Sequence, residues 1–348
     1  MKIIELLSQA KATIGKPEEG DKDWIIAPTK HAKQYRESAN ALTEVLSSSK
    51  FLGTINQFEE SDREANMAQD LFKKIARRAN LAVFYTACLG ALVLVVNGLN
   101  LPDDFQQYRN VALRVLGVGA ILVGGLGTMW LFRIQTGKLL EAWMSRRAKA
   151  ETHRLRLFEL ATQAPDQSEV ASEIPLPLLQ LEYFRRYQLD VQIAYYKSAR
   201  QRHARAAHNI LVLSGIAVFL GTIATGLSGI LGSFVPDLAS FAALGVMGVA
   251  LSTYAVTKEG VSQDRRNAER YERTGEYLAE LRKKLDDVRR AAAEDNREPM
   301  ERFVFAVHEH LSLEHRQWLK ATEGTKESVS RLQESLNKHK SALENRED

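Results

Sequence analysis

The side chains best equipped for chemistry stand close together near one end of the chain: His308, Glu309, His310, Glu314 and His315. A zinc-binding helix takes the form H-E-x-x-H or H-x-x-E-H, which sets two imidazoles on one face with a carboxylate beside them. Neither spacing is present. Four residues after His308 stands Ser312, and His310 to Glu314 is one residue too long. His308 and His315 do share a helix face, but the spacing rules favour a solvated or interfacial helix over a metal site. The single cysteine, Cys88, has no ligand partner near it in sequence and cannot form a disulfide within the chain. No nucleophile elbow, P-loop or cysteine pair occurs. The chain therefore reads as a non-enzyme without a cofactor.

The remaining polar side chains of interest sit in greasy surroundings: Asn97, then Thr222, Thr225 and Ser228. Around them glycine is frequent, at Gly117, Gly119, Gly124, Gly125 and Gly127, at Gly221, Gly226, Gly229 and Gly232, and at Gly245 and Gly248. None of these forms a dinucleotide-binding fingerprint after a strand. Small residues let membrane helices approach closely, and Ala120 with Gly124 gives one small-xxx-small pair. Helix packing is the ordinary reading of these glycines, and a flexible or pore-lining face is the functional one. Asn97, Gly117, Gly119, Gly124, Gly125, Thr222 and Thr225 are the candidate pore-lining or helix-packing residues.

The elements that must position them are four charge-free stretches, Leu81–Leu101, Val115–Phe132, Asn209–Val235 and Leu238–Val256. At about 1.5 Å per residue, roughly 20 apolar residues cross about 30 Å of hydrocarbon. Soluble buried helices rarely run so far without one charge on a solvent face. The overall composition hides this, since 26% of residues are charged and long polar segments dilute the apolar ones. The expected fold class is an all-α membrane protein, with four transmembrane helices as two hairpins and long cytoplasmic helical extensions. No Asp, Glu, Lys, Arg or His falls inside these four stretches, which argues against a proton-coupled carrier. Any pore would be lined by hydroxyls, glycine and apolar groups.

Basic residues flank the open ends of both hairpins: Lys73, Lys74, Arg77 and Arg78; Arg133, Lys138, Arg146, Arg147 and Lys149; Lys197, Arg200, Arg202 and Arg205; Lys258, Arg265 and Arg266. The positive-inside rule puts both termini and the middle segment in the cytoplasm. The net charge of +4 is accounted for by these flanks, with no nucleic-acid partner required. Met1 to Gly20 has no apolar run of the signal-peptide kind, so the first span is expected to serve as its own insertion signal. The layout repeats: basic amphipathic helix, span, Pro-Asp turn at Pro102-Asp103 or Pro236-Asp237, span, charged helix. The expected organisation is a cytoplasmic helical region over 1–62 and a first hairpin unit over 63–160 with spans about 81–101 and 111–132. A linker over 161–177 leads to a second unit over 178–295 with spans about 209–235 and 238–257, and a helical region over 296–348 closes the chain. Apolar stripes at 3–4 spacing run through Ala32, Tyr35, Ala39, Leu42 and Leu46, through Tyr271, Leu278, Leu281, Leu285 and Val288, and through Val329, Leu332, Leu336 and Leu343. Periodicity leaves open whether they pack within one subunit or between subunits. The helix over Ser262–Asn296 is expected to continue the fourth span.

Three stretches beside the spans resemble the SLATT family, the two-transmembrane effector modules associated with SMODS nucleotidyltransferases and SLOG domains. The approach to the third span reads Tyr187-Gln188-Leu189-Asp190-Val191-Gln192-Ile193-Ala194-Tyr195-Tyr196, then Ala199-Arg200 and Arg202-His203. This is similar to the family's helix with a glutamine, a tyrosine pair and basic residues entering the membrane. Glu141-Ala142-Trp143 with Arg146-Arg147 and Ala150-Glu151 resembles the post-hairpin helix, and Asn267-Ala268-Glu269-Arg270-Tyr271 holds the equivalent place in the second half. Phe303 to Trp318 resembles the closing helix. The resemblance covers roughly residues 65–320, and two hairpins depart from the simplest, single-hairpin members. It implies a membrane-disrupting effector of a bacterial conflict or antiphage system, set off by a separate sensor or nucleotide-signalling protein. The expected partners are the lipid bilayer of the inner membrane and further copies of the chain. A membrane-anchored scaffold recruiting cytoplasmic partners is the alternative.

Overall fold

A computed structural model of the chain describes residues 3–16, 27–99, 101–164, 173–232, 234 and 242–320. Every regular element among them is helical. The helices are α1 (Ile3–Ile14), α2 (Pro28–Tyr35), α3 (Asn40–Ser47), α4 (Ser49–Gly98), α5 (Gln106–Thr136), α6 (Leu139–Thr162), α7 (Leu176–Phe184), α8 (Val191–Gly232), α9 (Leu244–Ser262), α10 (Asp264–Lys283), α11 (Leu285–Ala293) and α12 (Glu298–Lys320). A π-helical segment, Arg185–Asp190, joins α7 to α8.

Local chemistry explains where the helices start and stop. Gly15 ends α1 at φ +80°, the left-handed position at which glycine carries no Cβ penalty. Pro175 precedes α7 and Pro177 lies in its first turn, where a missing N–H costs nothing. The 50 residues of α4 contain no proline, and the helix extends about 75 Å at 1.5 Å per residue. Pro102 and a 3-10 turn, Asp103–Phe105, lead into α5.

The chain divides into two compact units, interleaved in sequence. A helical unit draws on Met1–Met67, Trp143–Arg202 and Asn267–Lys320, and an apolar unit on Ala68–Ala142 and His203–Arg266. The helical unit has a single large core that includes Tyr35, Leu42, Leu46, Phe51, Phe158, Leu178, Phe184, Leu278, Leu285 and Val307. Two of the stripes named from sequence lie in that core: Tyr35, Ala39, Leu42 and Leu46 are buried, as are Leu278, Leu281 and Leu285. They pack within the chain. The third stripe, Val329 to Leu343, lies outside the described residues, as do Pro236-Asp237 and residues 165–172 of the linker.

The expected continuous helix over Ser262–Asn296 is interrupted. Gln263 takes a left-handed conformation, φ +50°, and ends α9. Asp264 then opens α10, its carboxylate accepting from Ser262 Oγ at 2.6 Å and paired with His203 Nδ1 at 2.5 Å. An aspartate in the first turn suits the positive end of a helix dipole, so a new helix starts where the sequence pattern runs on. A second break at Lys284 separates α10 from α11. Lys138, at φ +44°, makes a matching break between α5 and α6.

Candidate functional site

Three helices are long and apolar enough to cross a membrane: Ser49–Gly98, Asp103–Thr136 and Leu176–Gly232, the last made of α7, the π segment and α8 without interruption. Of the stretch predicted as a fourth span, Leu238–Val256, residues 238–241 lie outside the described residues. From Leu244 to Val256 it is helical.

Within the apolar unit, α4 packs on α5 and α9, and α9 packs on α8. The α4 face is small and apolar: Ala82, Ala87, Cys88 and Ala91 are all buried. Asn80 Nδ2 donates to Tyr254 O at 3.2 Å, and the Phe84 ring meets that of Tyr254 at 5.8 Å. By contrast only 17% of the apolar window is buried in α5 and in α8. Val115, Ile121, Leu122 and Phe132 on α5, and Leu211, Phe219 and Ile230 on α8, stand exposed.

The residues singled out from sequence fall into three groups. A Cβ on Gly119 or Gly124 would touch Leu89 at 3.7 Å or Thr86 at 3.6 Å, so these two face α4. A Cβ on Gly117 or Gly125 would meet nothing within 4 Å, and Asn97 is exposed near the end of α4. Thr222 and Thr225 donate back to Val218 O at 2.9 Å and Gly221 O at 3.0 Å, which satisfies their hydroxyls inside α8.

The tightest approach lies elsewhere, between α8 and α9. A Cβ on Gly248 would sit 2.6 Å from Ala217 O and 2.9 Å from Gly221 Cα, and one on Gly245 would collide with Thr225 Oγ1. Ser214 and Ser252 are hydrogen-bonded across the same seam at 2.9 Å. Its signal in the sequence is a row of small residues at 3–4 spacing, Ser214, Ala217, Gly221, Thr225 and Ser228, facing Gly245, Gly248 and Ser252.

The helical unit holds a second concentration of polar chemistry. From Pro177 to Asp190 every residue is buried, charges included. Glu182 is fully buried and pairs with Arg185 at 2.6 Å and with Arg289. Asp190 pairs with Arg185 at 2.8 Å and with Arg282 at 2.8 Å. Arg185 also donates to Gly15 O at 2.8 Å, and Arg186 to Ile14 O at 2.6 Å, so two guanidiniums close the carbonyl end of α1. Beside them His31 meets Tyr183 Oη at 3.0 Å, and Tyr35 and Tyr187 share a hydrogen bond at 2.8 Å. A separate charged cluster joins Asp62, Arg147 and Glu151, with Arg154 Nε donating to Gln188 Oε1 at 3.2 Å. Burial pulls the Arg154 guanidinium down to about 10, against the pull of Glu151. Arg270 pairs with Glu314 at 3.0 Å, whose carboxyl is pushed above its ordinary value by burial, with Arg270 working the other way. These groups are mostly paired with one another, which suits fixing side chains in place more than turning over a substrate.

The histidines of the C-terminal cluster do not converge. His308 lies against the Phe184 ring at 5.5 Å, and His310 stacks on Tyr277 at 3.8 Å. Among the described residues no group of three or more His, Cys, Asp or Glu could hold a metal ion. Burial pushes the His308 imidazole down to about 4, opposed by Glu159. A depressed folded-state value means that the unfolded chain takes up the proton first. The stabilisation is complete above pH 6.5 and is lost as pH falls through the interval down to about 4. A depression of this size corresponds to about 3 kcal/mol. His310 and His315 are pushed down by burial in the same direction. Hydrogen-exchange protection factors across α12, taken relative to the intrinsic rate at each pH, are expected to fall between pH 7 and pH 5, and His308→Leu is expected to remove the larger part of that slope.

Neither family models, nor curated proteins, nor solved structures offer a match to this chain.

Proposed function

We propose that the chain is a four-span protein of the bacterial inner membrane, with both termini cytoplasmic, that acts as a SLATT-like effector. It assembles with further copies of itself and breaches the membrane when a separate sensor triggers it. The observation that carries the reading is the uncovered apolar surface of α5 and α8. Monomeric soluble proteins rarely leave apolar patches beyond a few hundred Å² open to water, and here the apolar stretches of two helices are mostly uncovered. The flanking arginines and lysines support the orientation. Gly117 and Gly125, open to the outside of the hairpin, support close approach by another helix. The absence of charge in the spans favours a weakly selective opening over a coupled carrier.

Membrane potential tests the proposal. Triggering or overproducing the chain is expected to depolarise cells. Gly125→Leu is expected to remove most of that effect while leaving the melting of the purified chain unchanged, because nothing in the chain lies within 4 Å of the added Cβ. Gly124→Leu is expected to lower both, since its side chain must push past Thr86. Cells that keep their potential throughout would leave the second reading, a membrane-anchored scaffold.

A further inference from the structure

The segment Arg185–Asp190 is held in a form that helices seldom keep for long. A π-helix closes i→i+5 hydrogen bonds and takes up one more residue per turn than an α-helix; it is rare and recurs at functional positions. The ion pair between Arg185 and Asp190 spans this same separation of five. In an α-helix each residue turns about 100°, so positions i and i+5 point about 140° apart and cannot pair. In the π form they lie above one another, and the pair closes at 2.8 Å. It therefore selects the π register. The remaining donors and acceptors of the same two side chains are committed to neighbouring helices: Arg185 to Glu182 and Gly15 O, and Asp190 to Arg282 on α10. Gln188 is fully buried, and its Nε2 has no hydrogen-bond partner among the described residues.

We propose that Arg185–Asp190 is a register switch, locked in its π form by the Arg185–Asp190 pair and by the carbonyl end of α1. Release converts it to α-helix. The helix that follows then turns by about 100° and shifts along its axis by about 1.5 Å, one residue's worth. Leu176–Gly232 is one unbroken helical run, so the turn passes along α8. The clamp is α1 because Arg185 and Arg186 hand their N–H groups to Gly15 O and Ile14 O, and removing those acceptors leaves buried guanidiniums short of partners. Whatever displaces α1 is thus the event that releases the switch.

The test reads which side of α8 is covered in the helical unit. Ser198 is exposed and Ala199 is 2% exposed. A one-residue turn carries position 198 to the azimuth that 199 now holds, and carries 199 out. In full-length chain in nanodiscs with Cys88→Ala, Ser198→Cys is expected to react with a maleimide quickly and Ala199→Cys slowly. Adding Asp190→Asn, or deleting the chain up to Gly15, is expected to exchange the two rates at unchanged helix content. Arg185→Lys, which keeps the charge, is expected to retain the original order. Rates that keep their order in both altered chains would overturn the proposal. So would fast reaction at both positions, which would mean that the unit loosens and does not turn.

Discussion

Gly248→Ala is expected to unfasten α8 from α9, and to be the most damaging single methyl that can be added to the apolar unit. The added Cβ would stand 2.6 Å from Ala217 O and 2.9 Å from Gly221 Cα. Both obstacles are backbone, so no rotamer change clears the site, and the helices must separate. In lipid that separation is costly for a particular reason. Hydrocarbon solvates leucine as well as a neighbouring helix does, so close packing and interhelical hydrogen bonds are what hold spans together. Moving α8 away also lengthens the Ser214–Ser252 bond. Overpacking of this kind costs about 1–3 kcal/mol. Unfolding in mixed micelles titrated with dodecyl sulfate should show a lowered midpoint, with Gly226→Ala as the control, since its Cβ meets nothing within 4 Å. Equal midpoints for the two variants would mean that the seam does not fasten α8 to α9.

This seam shows how far the sequence could be read. Charge-free length was legible because it is written residue by residue, and three helices long and apolar enough to cross a membrane are present. The stripes through Tyr35 and Leu278 were legible for the same reason: burial follows helical periodicity. Which glycines mattered was not. Gly124 and Gly248 look alike in a list, and what separates them is whether backbone or a side chain lies opposite, a fact of pairing between helices remote in sequence. The ends of helices were hidden where a non-glycine residue takes positive φ, as at Lys138 and Gln263. The charged hub was hidden most deeply. Nothing in the sequence pattern marks Glu182, Arg185, Arg186 and Asp190 as buried, because charge is ordinarily a cue for water. Only the third dimension shows that each has a partner of opposite sign or a helix end, so that the segment can be buried on all sides.

The hub supplies the other large expected effect. Glu182→Gln should destabilise the helical unit by about 3–5 kcal/mol, the usual cost of removing one member of a buried ion pair. Glu182 is fully buried and neutralises two guanidiniums at once, Arg185 and Arg289. Glutamine keeps the shape and one acceptor but cannot balance either charge. Arg185 would retain Asp190, whereas Arg289 would keep only Asp286, whose side chain is 70% exposed. That residue provides the internal comparison. Asp286 pairs with the same Arg289 at 2.7 Å, and the Arg289 hydrogen bond holds its carboxyl below the ordinary value. Yet water screens it, and Asp286→Asn should cost no more than about 1 kcal/mol. Two carboxylates on one guanidinium thus separate burial from pairing: geometry is similar, and only access to water differs. Urea unfolding of the two variants, followed by hydrogen exchange in α7 and α11, should give midpoints far apart. Similar midpoints would mean that water reaches Glu182, and that the hub is a surface network folded inward and not a buried one.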